Sequence, residues 1–306
     1  MDPHSQFITH PSGETTHYIA DCHADPWKPH DTETVLLQGG FARHSAFFYH
    51  WVPALSRHYR VIRRDLRGHG LSSAPSIRQK PDAYTLDTIL SEILDTLDQL
   101  NLQKVHFFGE STSGILGEIF AARHPERLLS LTVCSSPTHL PQATQDFLAM
   151  GIKATKGLDQ DLDQDQNQNQ TSSALSWPEA CRRLGSRGWA QALSERPGTM
   201  ASNDPAYRKW WLDQVSVSSG EGLASYAEFL CTIDSRPILD QIRVPMLILA
   251  PTRSAATTIA AQKEIQQQIG SNCKLVEVDG PGHEIYIEAA DDCIAAFLDF
   301  VKRMGP

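Results

Sequence analysis

The sequence predicts an α/β fold, in which a mostly parallel central sheet is flanked by helices and carries an inserted helical cap. Short apolar runs bounded by turn residues recur along the chain, and helical patterns lie between them. This alternation stops between residues 137 and 236 and then resumes. Alternating strands and helices are typical of a parallel sheet that helices cover on both faces.

Six apolar runs are predicted to form the strands of this sheet. The strands of a parallel sheet are buried on both faces, so they read as short, largely apolar runs. The runs lie at residues 34–38, 59–65, 105–109, 128–136, 245–250 and 273–280. Leucine and isoleucine recur at helical spacing between residues 86 and 100, which predicts a helix between the second run and the third.

Residues 137–236 are predicted to form the helical cap, and residues 1–136 and 237–306 the α/β core. The insertion is helix-like and rich in tryptophan, and strand periodicity returns only after it. Its tryptophans are Trp177, Trp189, Trp210 and Trp211. Within it, residues 158–173 read LDQDLDQDQNQNQTSS. Such a polar, low-complexity segment buries too little apolar surface to order itself, so we expect a mobile loop without a role in chemistry.

The charge balance argues against a nucleic acid or an anionic membrane as partner. The formal net charge is −9, and the 27 Lys and Arg residues are scattered rather than clustered. No run approaches the ~20 apolar residues of a membrane span, and the N-terminus lacks the pattern of a signal peptide. We therefore expect a cytoplasmic protein with a small-molecule substrate, whose oligomeric state the sequence does not indicate.

The six cysteines are predicted to be mostly small apolar core residues. They stand far apart without a CxxC spacing, so neither a zinc site nor a disulfide framework is indicated. The His, Cys and carboxylate positions show no metal-ligand spacing either. We expect no metal and no organic cofactor.

The stretch GESTSG at 109 to 114 places Ser111 between a predicted strand and a predicted helix. A serine on a tight turn in this context is typical of a nucleophile elbow, whose small neighbours let strand and helix approach. The usual pattern is G-x-S-x-G, and here Ser113 takes the last position, with Gly114 one place later. The alternative is that Ser111 or Thr112 only caps the helix.

A histidine with suitable context follows the last predicted strand. His283 lies in GPGHE at 280 to 284, between that strand and a C-terminal helix, and it comes after the serine in the chain. A serine hydroxyl needs such a neighbouring base because it is a weak nucleophile on its own. We therefore predict His283 as the general base for Ser111.

A glycine turn follows the first predicted strand, in LLQGGFARHS at 36 to 45. Such a turn leaves a backbone N–H free, so the N–H groups of Phe41 and Thr112 are predicted to form an oxyanion hole. The alternative is a plain glycine turn without a role in binding.

Together these motifs resemble the α/β-hydrolase superfamily over nearly the whole chain. RDLRGHGLSS at 64 to 73, GESTSG, HPERL, IRVPMLIL and GPGHE occur in family order and at family-like intervals. The resemblance implies that Ser111 attacks an acyl carbonyl, that His283 takes up and returns its proton, and that residues 137–236 cover the substrate. In that family the usual oxyanion pair is His-Gly, whereas this chain has Gly39-Gly40.

The acid of the implied triad is missing from its usual place. The family pattern puts a carboxylate about four residues past Ala250, where this chain has Ser254. We predict Asp234 as a displaced acid, with Glu110 and then Glu284 as alternatives. A dyad-like site in which Ser254 or water orients the histidine stays open.

Three functions are compatible with these residues. The first is a serine hydrolase that cleaves an ester or lactone of a small, mainly apolar molecule. The second is hydrolysis of a carbon–carbon bond next to a carbonyl, which the family performs with the same Ser and His. The third is a ligand-binding or receptor-like protein on a hydrolase scaffold. Epoxide hydrolase and haloalkane dehalogenase are disfavoured, because their elbow usually carries Asp where this chain has Ser111.

Overall fold

A computed structural model describes residues 4–25, 27, 32–140, 175–195, 202, 204–254 and 256–304 of the chain. The loop predicted at 158–173 lies outside these residues. The strands are β1 (Ser5–Thr9), β2 (Thr15–Asp21), β3 (Thr34–Gln38), β4 (Arg60–Arg64), β5 (Val105–Glu110), β6 (Leu128–Cys134), β7 (Met246–Pro251) and β8 (Cys273–Val278). The helices are α1 (Trp51–Leu55), α2 (Leu86–Gln99), α3 (Thr112–Arg123), α4 (Trp177–Ser194), α5 (Pro205–Val215), α6 (Gly220–Leu230), α7 (Ile259–Ile269), α8 (Ile285–Glu288) and α9 (Ala290–Lys302).

The strands form one mostly parallel sheet, as predicted. Their order is β1-β2-β4-β3-β5-β6-β7-β8, and all neighbours from β4 to β8 in that order run parallel. All six predicted strands are present. The antiparallel edge formed by β1 and β2 was not predicted, because its residues are partly exposed and mostly polar rather than an apolar run.

The core lies on both faces of this sheet. All residues of β3 are buried, with Leu36 packing on one face and Val35 and Leu37 on the other. Helices α2, α3 and α7 cover the first face, and α1 and α9 cover the second. Each of these apolar side chains contributes about 1.5–3 kcal/mol to stability when it is buried. Their packing therefore fixes the position of β3 and of the start of the loop that follows it.

Helices α4, α5 and α6 lie in the chain between β6 and β7. Gly185 interrupts α4 with a φ of 69°, a backbone conformation that glycine adopts readily. The ends of this stretch meet, because His139 and Asp234 form an antiparallel bridge and the Ser235 N–H donates to the Thr138 carbonyl at 2.9 Å. The boundaries of the cap at 137 and 236 stay a prediction.

Four loops gather at the carboxyl edge of the sheet. Strands β3, β5, β7 and β8 run parallel, so the loops after them emerge at the same edge. These loops carry Phe41, Ser111, Ser254 and His283. Within the described ranges, no helix combines the length and apolarity that crossing a lipid bilayer requires.

Candidate active site

Ser111 lies on a strained turn between β5 and α3. Its φ of 50° and ψ of −125° fall in a region that non-glycine residues rarely adopt, at a cost of about 1–3 kcal/mol. Small neighbours are required on both sides. A Cβ at Gly109 would lie 2.6 Å from the Ser113 carbonyl oxygen, and a Cβ at Gly114 would lie 2.1 Å from Oγ of Ser136. The Ser111 N–H is fixed by the Cys134 carbonyl at 2.8 Å.

Ser113, the unusual residue of the elbow motif, has a structural partner. Its hydroxyl donates to the Gly39 carbonyl at 2.6 Å, and the amide of Gln38 donates to it at 3.4 Å. The hydroxyl therefore ties the start of α3 to the end of β3. A glycine at this position could not form these hydrogen bonds. The sequence pattern alone did not indicate this role of Ser113.

His283 stands between two serine hydroxyls. Its Nε2 lies 3.0 Å from Oγ of Ser111, and its Nδ1 lies 3.0 Å from Oγ of Ser254. Burial lowers the pKa of His283 to about 4; the charge of Glu284 raises it, and that of Arg43 lowers it further. The imidazole is therefore neutral at pH 7, as a base that accepts the Ser111 proton must be.

The carboxylates considered for the acid each have other partners. Both oxygens of Asp234 bind Arg236, with Nη2 at 2.7 Å, so the structure does not bring Asp234 to His283. Oε2 of Glu110 accepts the Gly40 N–H at 2.8 Å. Nδ1 of His283 faces Ser254 instead, at the position where the family pattern puts the acid.

Glu284 belongs to a buried cluster that the sequence did not indicate. Its carboxylate pairs with the Arg43 guanidinium, with Nε at 2.5 Å, and accepts from the Tyr207 hydroxyl at 3.3 Å. The same guanidinium lies 5.0 Å from the ring centres of both Phe47 and Trp211. This pair joins the oxyanion loop to the histidine loop across 241 positions of sequence.

Glu110 connects the nucleophile to the oxyanion loop. It directly precedes Ser111, and the N–H that it accepts belongs to Gly40, next to Phe41. Burial raises the pKa of Glu110 to about 7, although the charge of Arg43 and the Gly40 N–H both lower it. A Cβ at Gly40 would lie 2.9 Å from Cβ of Ser111, so only glycine allows this close approach.

The two predicted oxyanion donors lie side by side. Thr112 is the first residue of α3, so its N–H has no acceptor four residues earlier in the helix. The Phe41 N–H donates to Oγ1 of Thr112 at 3.1 Å. Backbone N–H groups in this position favour a developing negative charge on a substrate oxygen.

Aromatic side chains surround the ring of Phe41. Trp177 and Trp189 of α4 lie 5.5 and 5.3 Å from it, Tyr226 of α6 stacks on it at 6.4 Å, and His69 lies 6.0 Å away. The insertion therefore places apolar surface directly against the oxyanion loop.

Asp65 anchors the glycine-rich loop that carries His69. The pKa of Asp65 is lowered overall, although burial alone would raise it. Its carboxylate is hydrogen-bonded to Nδ1 of His17 at 2.7 Å and accepts the Leu71 N–H at 3.0 Å, and both bonds lower the pKa. It also accepts the Ser45 N–H at 2.7 Å, which links this loop to the helical turn after the oxyanion loop.

Among the residues that the structure describes, no three or more His, Cys, Asp and Glu side chains form a group that could hold a metal ion. The chemistry that the arrangement supports is nucleophilic attack by Ser111 with His283 as the base. Of the two predicted oxyanion donors, the Phe41 N–H is engaged by Oγ1 of Thr112.

Known proteins resemble this chain over most of its length. The family model described as alpha/beta hydrolase fold matches residues 33–290. The 3-oxoadipate enol-lactonase 1 of Acinetobacter baylyi is 25% identical over 306 aligned residues, which cover 98% of each chain. The crystal structure of the enol-lactonase from Burkholderia xenovorans LB400 has a TM-score of 0.76 and 25% identity, over 97% of this chain and all of that one. A thermophilic esterase from Thermogutta terrifontis, with a TM-score of 0.77, 18% identity and 99% of both chains covered, shares the fold.

Proposed function

Because the chain belongs to the alpha/beta hydrolase fold family, we propose that it hydrolyses an ester or lactone of a small, mainly apolar molecule through an acyl-enzyme on Ser111. The protein is a hydrolase. The observation that carries the mechanism is the 3.0 Å contact between Oγ of the strained Ser111 and Nε2 of His283. The ester or lactone class is supported by two full-length relatives that are named enol-lactonases.

In the proposed reaction, Nε2 of His283 takes the proton of Ser111 while Oγ attacks the substrate carbonyl. The tetrahedral intermediate collapses when His283 returns the proton to the leaving oxygen, which leaves an acyl group on Ser111. Water then repeats the sequence with the same base and releases the acid. A lactone gives one ring-opened product, because its leaving oxygen stays attached to the acyl chain.

Ser254 is the proposed positioning residue for His283. Its Oγ is 3.0 Å from Nδ1, where a carboxylate would stand in a complete triad. A hydroxyl orients the imidazole without supplying the negative charge that stabilises imidazolium. The proposed site is therefore a serine–histidine–serine arrangement with a weakened third member.

We propose an apolar substrate because aromatic side chains surround Phe41. The oxyanion loop lies against Trp177, Trp189 and Tyr226, so an acyl group that enters near Ser111 meets apolar surface from the insertion. Such surface favours small apolar ligands.

The test combines a turnover screen with covalent labelling. Wild type, Ser111→Ala and the control Ser113→Ala are assayed on p-nitrophenyl esters, lactones and vinylogous diketones, and each is treated with a fluorophosphonate probe. Ser111→Ala should lose labelling and at least ~10³-fold in turnover, while Ser113→Ala should still be labelled.

Turnover of Ser111→Ala within a few-fold of wild type would exclude the proposed nucleophile. Turnover of diketones alone would replace the proposal with carbon–carbon bond hydrolysis. A wild type that neither turns over nor reacts with the probe would indicate a binding protein.

A further inference from the structure

A side-chain hydroxyl stands beside the two backbone groups that are predicted to form the oxyanion hole. Oγ1 of Thr112 lies 3.1 Å from the Phe41 nitrogen and accepts its N–H. Thr112 is buried and directly follows Ser111. One predicted oxyanion donor is therefore engaged by the side chain of the residue that supplies the other.

The hydrogen of this hydroxyl can reach an acceptor beside Ser111. A threonine hydroxyl has one hydrogen and two lone pairs, and one lone pair accepts the Phe41 N–H. A side-chain hydrogen bond from Thr112 lowers the pKa of buried Tyr226, against the larger opposite effect of burial, so the Tyr226 hydroxyl competes for this hydrogen. The contact is too long or too poorly aligned for a full hydrogen bond. An oxyanion is a stronger acceptor than a neutral hydroxyl and would therefore draw the Thr112 hydrogen away from Tyr226.

We propose that the Thr112 hydroxyl donates directly to the oxyanion of the tetrahedral intermediate, together with the Thr112 N–H, and that the Phe41 N–H acts through this hydroxyl. This inference rests on the proposed acyl-enzyme mechanism. A hydroxyl that accepts a hydrogen bond is a stronger donor, by roughly 10–30% per bond. Threonine also suits the role, because β-branching restricts its side-chain rotation and holds Oγ1 in place.

The step requires no additional reactant. The bond from Oγ of Ser111 to the carbonyl carbon forms, and the carbonyl electron pair moves onto its oxygen, which accepts the two hydrogen bonds from Thr112. No proton leaves Thr112. On collapse the pair returns, the bond to the leaving oxygen breaks, and His283 supplies the proton to that oxygen.

The inference is tested with Thr112→Ala and its matched control Thr112→Ser, which keeps the hydroxyl. The readouts are kcat and KM for p-nitrophenyl butyrate, and the affinity for phenylboronic acid, whose adduct on Ser111 mimics the tetrahedral intermediate. Thr112→Ala should lower kcat and boronate affinity by about 10²-fold, as loss of one oxyanion donor does, with KM little changed. Thr112→Ser should stay within about five-fold of wild type in all readouts.

Alanine also removes the acceptor of the Phe41 N–H, which would then face the substrate directly. A kcat and boronate affinity of Thr112→Ala equal to or above wild type would show that Thr112 only blocks that N–H, and would overturn the inference. Equal loss in Thr112→Ala and Thr112→Ser would do so as well, since the methyl group and not the hydroxyl would then matter. Failure of the mechanism itself is seen separately, as retained turnover in Ser111→Ala. The boronate readout does not depend on turnover.

Discussion

Replacing Ser254 with aspartate should raise kcat, because it supplies the carboxylate that the site lacks. Oγ of Ser254 accepts the N–H groups of Ala256 and Thr257 at 3.1 and 3.2 Å, besides its 3.0 Å contact with Nδ1 of His283. Since these two N–H groups fill both acceptor positions of a hydroxyl, its hydrogen is left to donate to Nδ1. That arrangement favours the tautomer with the proton on Nε2, so only the less populated tautomer, with the proton on Nδ1, acts as base for Ser111. A carboxylate has room for all three donors and would fix the proton on Nδ1.

The expected shift in the pKa of His283 follows from the negative charge that aspartate would add. Burial holds the pKa of His283 at about 4. A carboxylate ~4 Å away interacts with imidazolium by about 4 kcal/mol at an effective dielectric constant of ~20, which corresponds to ~3 pKa units. The pKa of His283 in Ser254→Asp should therefore rise to near 7, where a general base works best. The acid contributes up to ~10⁴ to kcat in well-tuned triads, so an increase of at least ~10-fold is expected here.

The assay is kcat/KM for a p-nitrophenyl ester as a function of pH, with Ser254→Asn as the uncharged control of the same shape. In wild type the rate should fall only below about pH 4, where His283 becomes protonated. In Ser254→Asp this fall should move upward by two to three pH units, roughly as the added charge predicts. Equal rates and equal pH profiles for the aspartate and asparagine variants would refute the reasoning, because charge would then not be the missing contribution.

Three further changes test other parts of the site. His283→Ala should lower kcat by about 10³-fold with its melting temperature retained, and a retained rate would remove His283 as the base. Asp234→Asn breaks a surface pair with Arg236 and should leave kcat within about two-fold, whereas a 10²-fold loss would restore Asp234 as the acid. Glu110 has a folded pKa of about 7 against 4.5 unfolded, so the folded state binds more protons and wild-type stability falls as pH rises between these values. Glu110→Gln removes this loss, so its free energy of unfolding in urea, relative to that of wild type, should rise by about 2–3 kcal/mol from pH 5 to pH 8. If the free energies of unfolding of both proteins change with pH in parallel, the assignment is wrong.

The parallel sheet could be predicted because most of its strands are rich in apolar residues on both faces. Runs such as TVLLQ at 34–38 have that pattern, and the structure has a strand with the same bounds. Strands β1 and β2 lack it: Ser5–Thr9 reads SQFIT, in which three of five residues are polar and all but Ile8 are exposed or half-buried. A short strand of this kind is stabilised by its neighbours rather than by its own sequence.

The candidate site was predictable where a residue is tied to a local motif. Ser111 and His283 stand at strand ends, and the count from Ala250 leads to Ser254, which faces Nδ1. Contacts that depend on distant partners were not predictable. The pairing of Arg43 with Glu284 across the fold is one example, since charge pairing over such a separation leaves no sequence pattern.

The bridge between His139 and Asp234 has a consequence for how this chain could change its specificity. The insertion departs from the sheet and returns to it at one point, closed by the bridge and by the Ser235 N–H bond to Thr138. Because a loop with fixed, adjacent ends tolerates changes in length at only about 0.6 kcal/mol per doubling, its contents are exchangeable as a module. Insertions from related chains, joined at residues 138 and 235, would then give new substrate ranges, provided that they keep the contacts of Tyr207 and Trp211 with the Arg43–Glu284 pair.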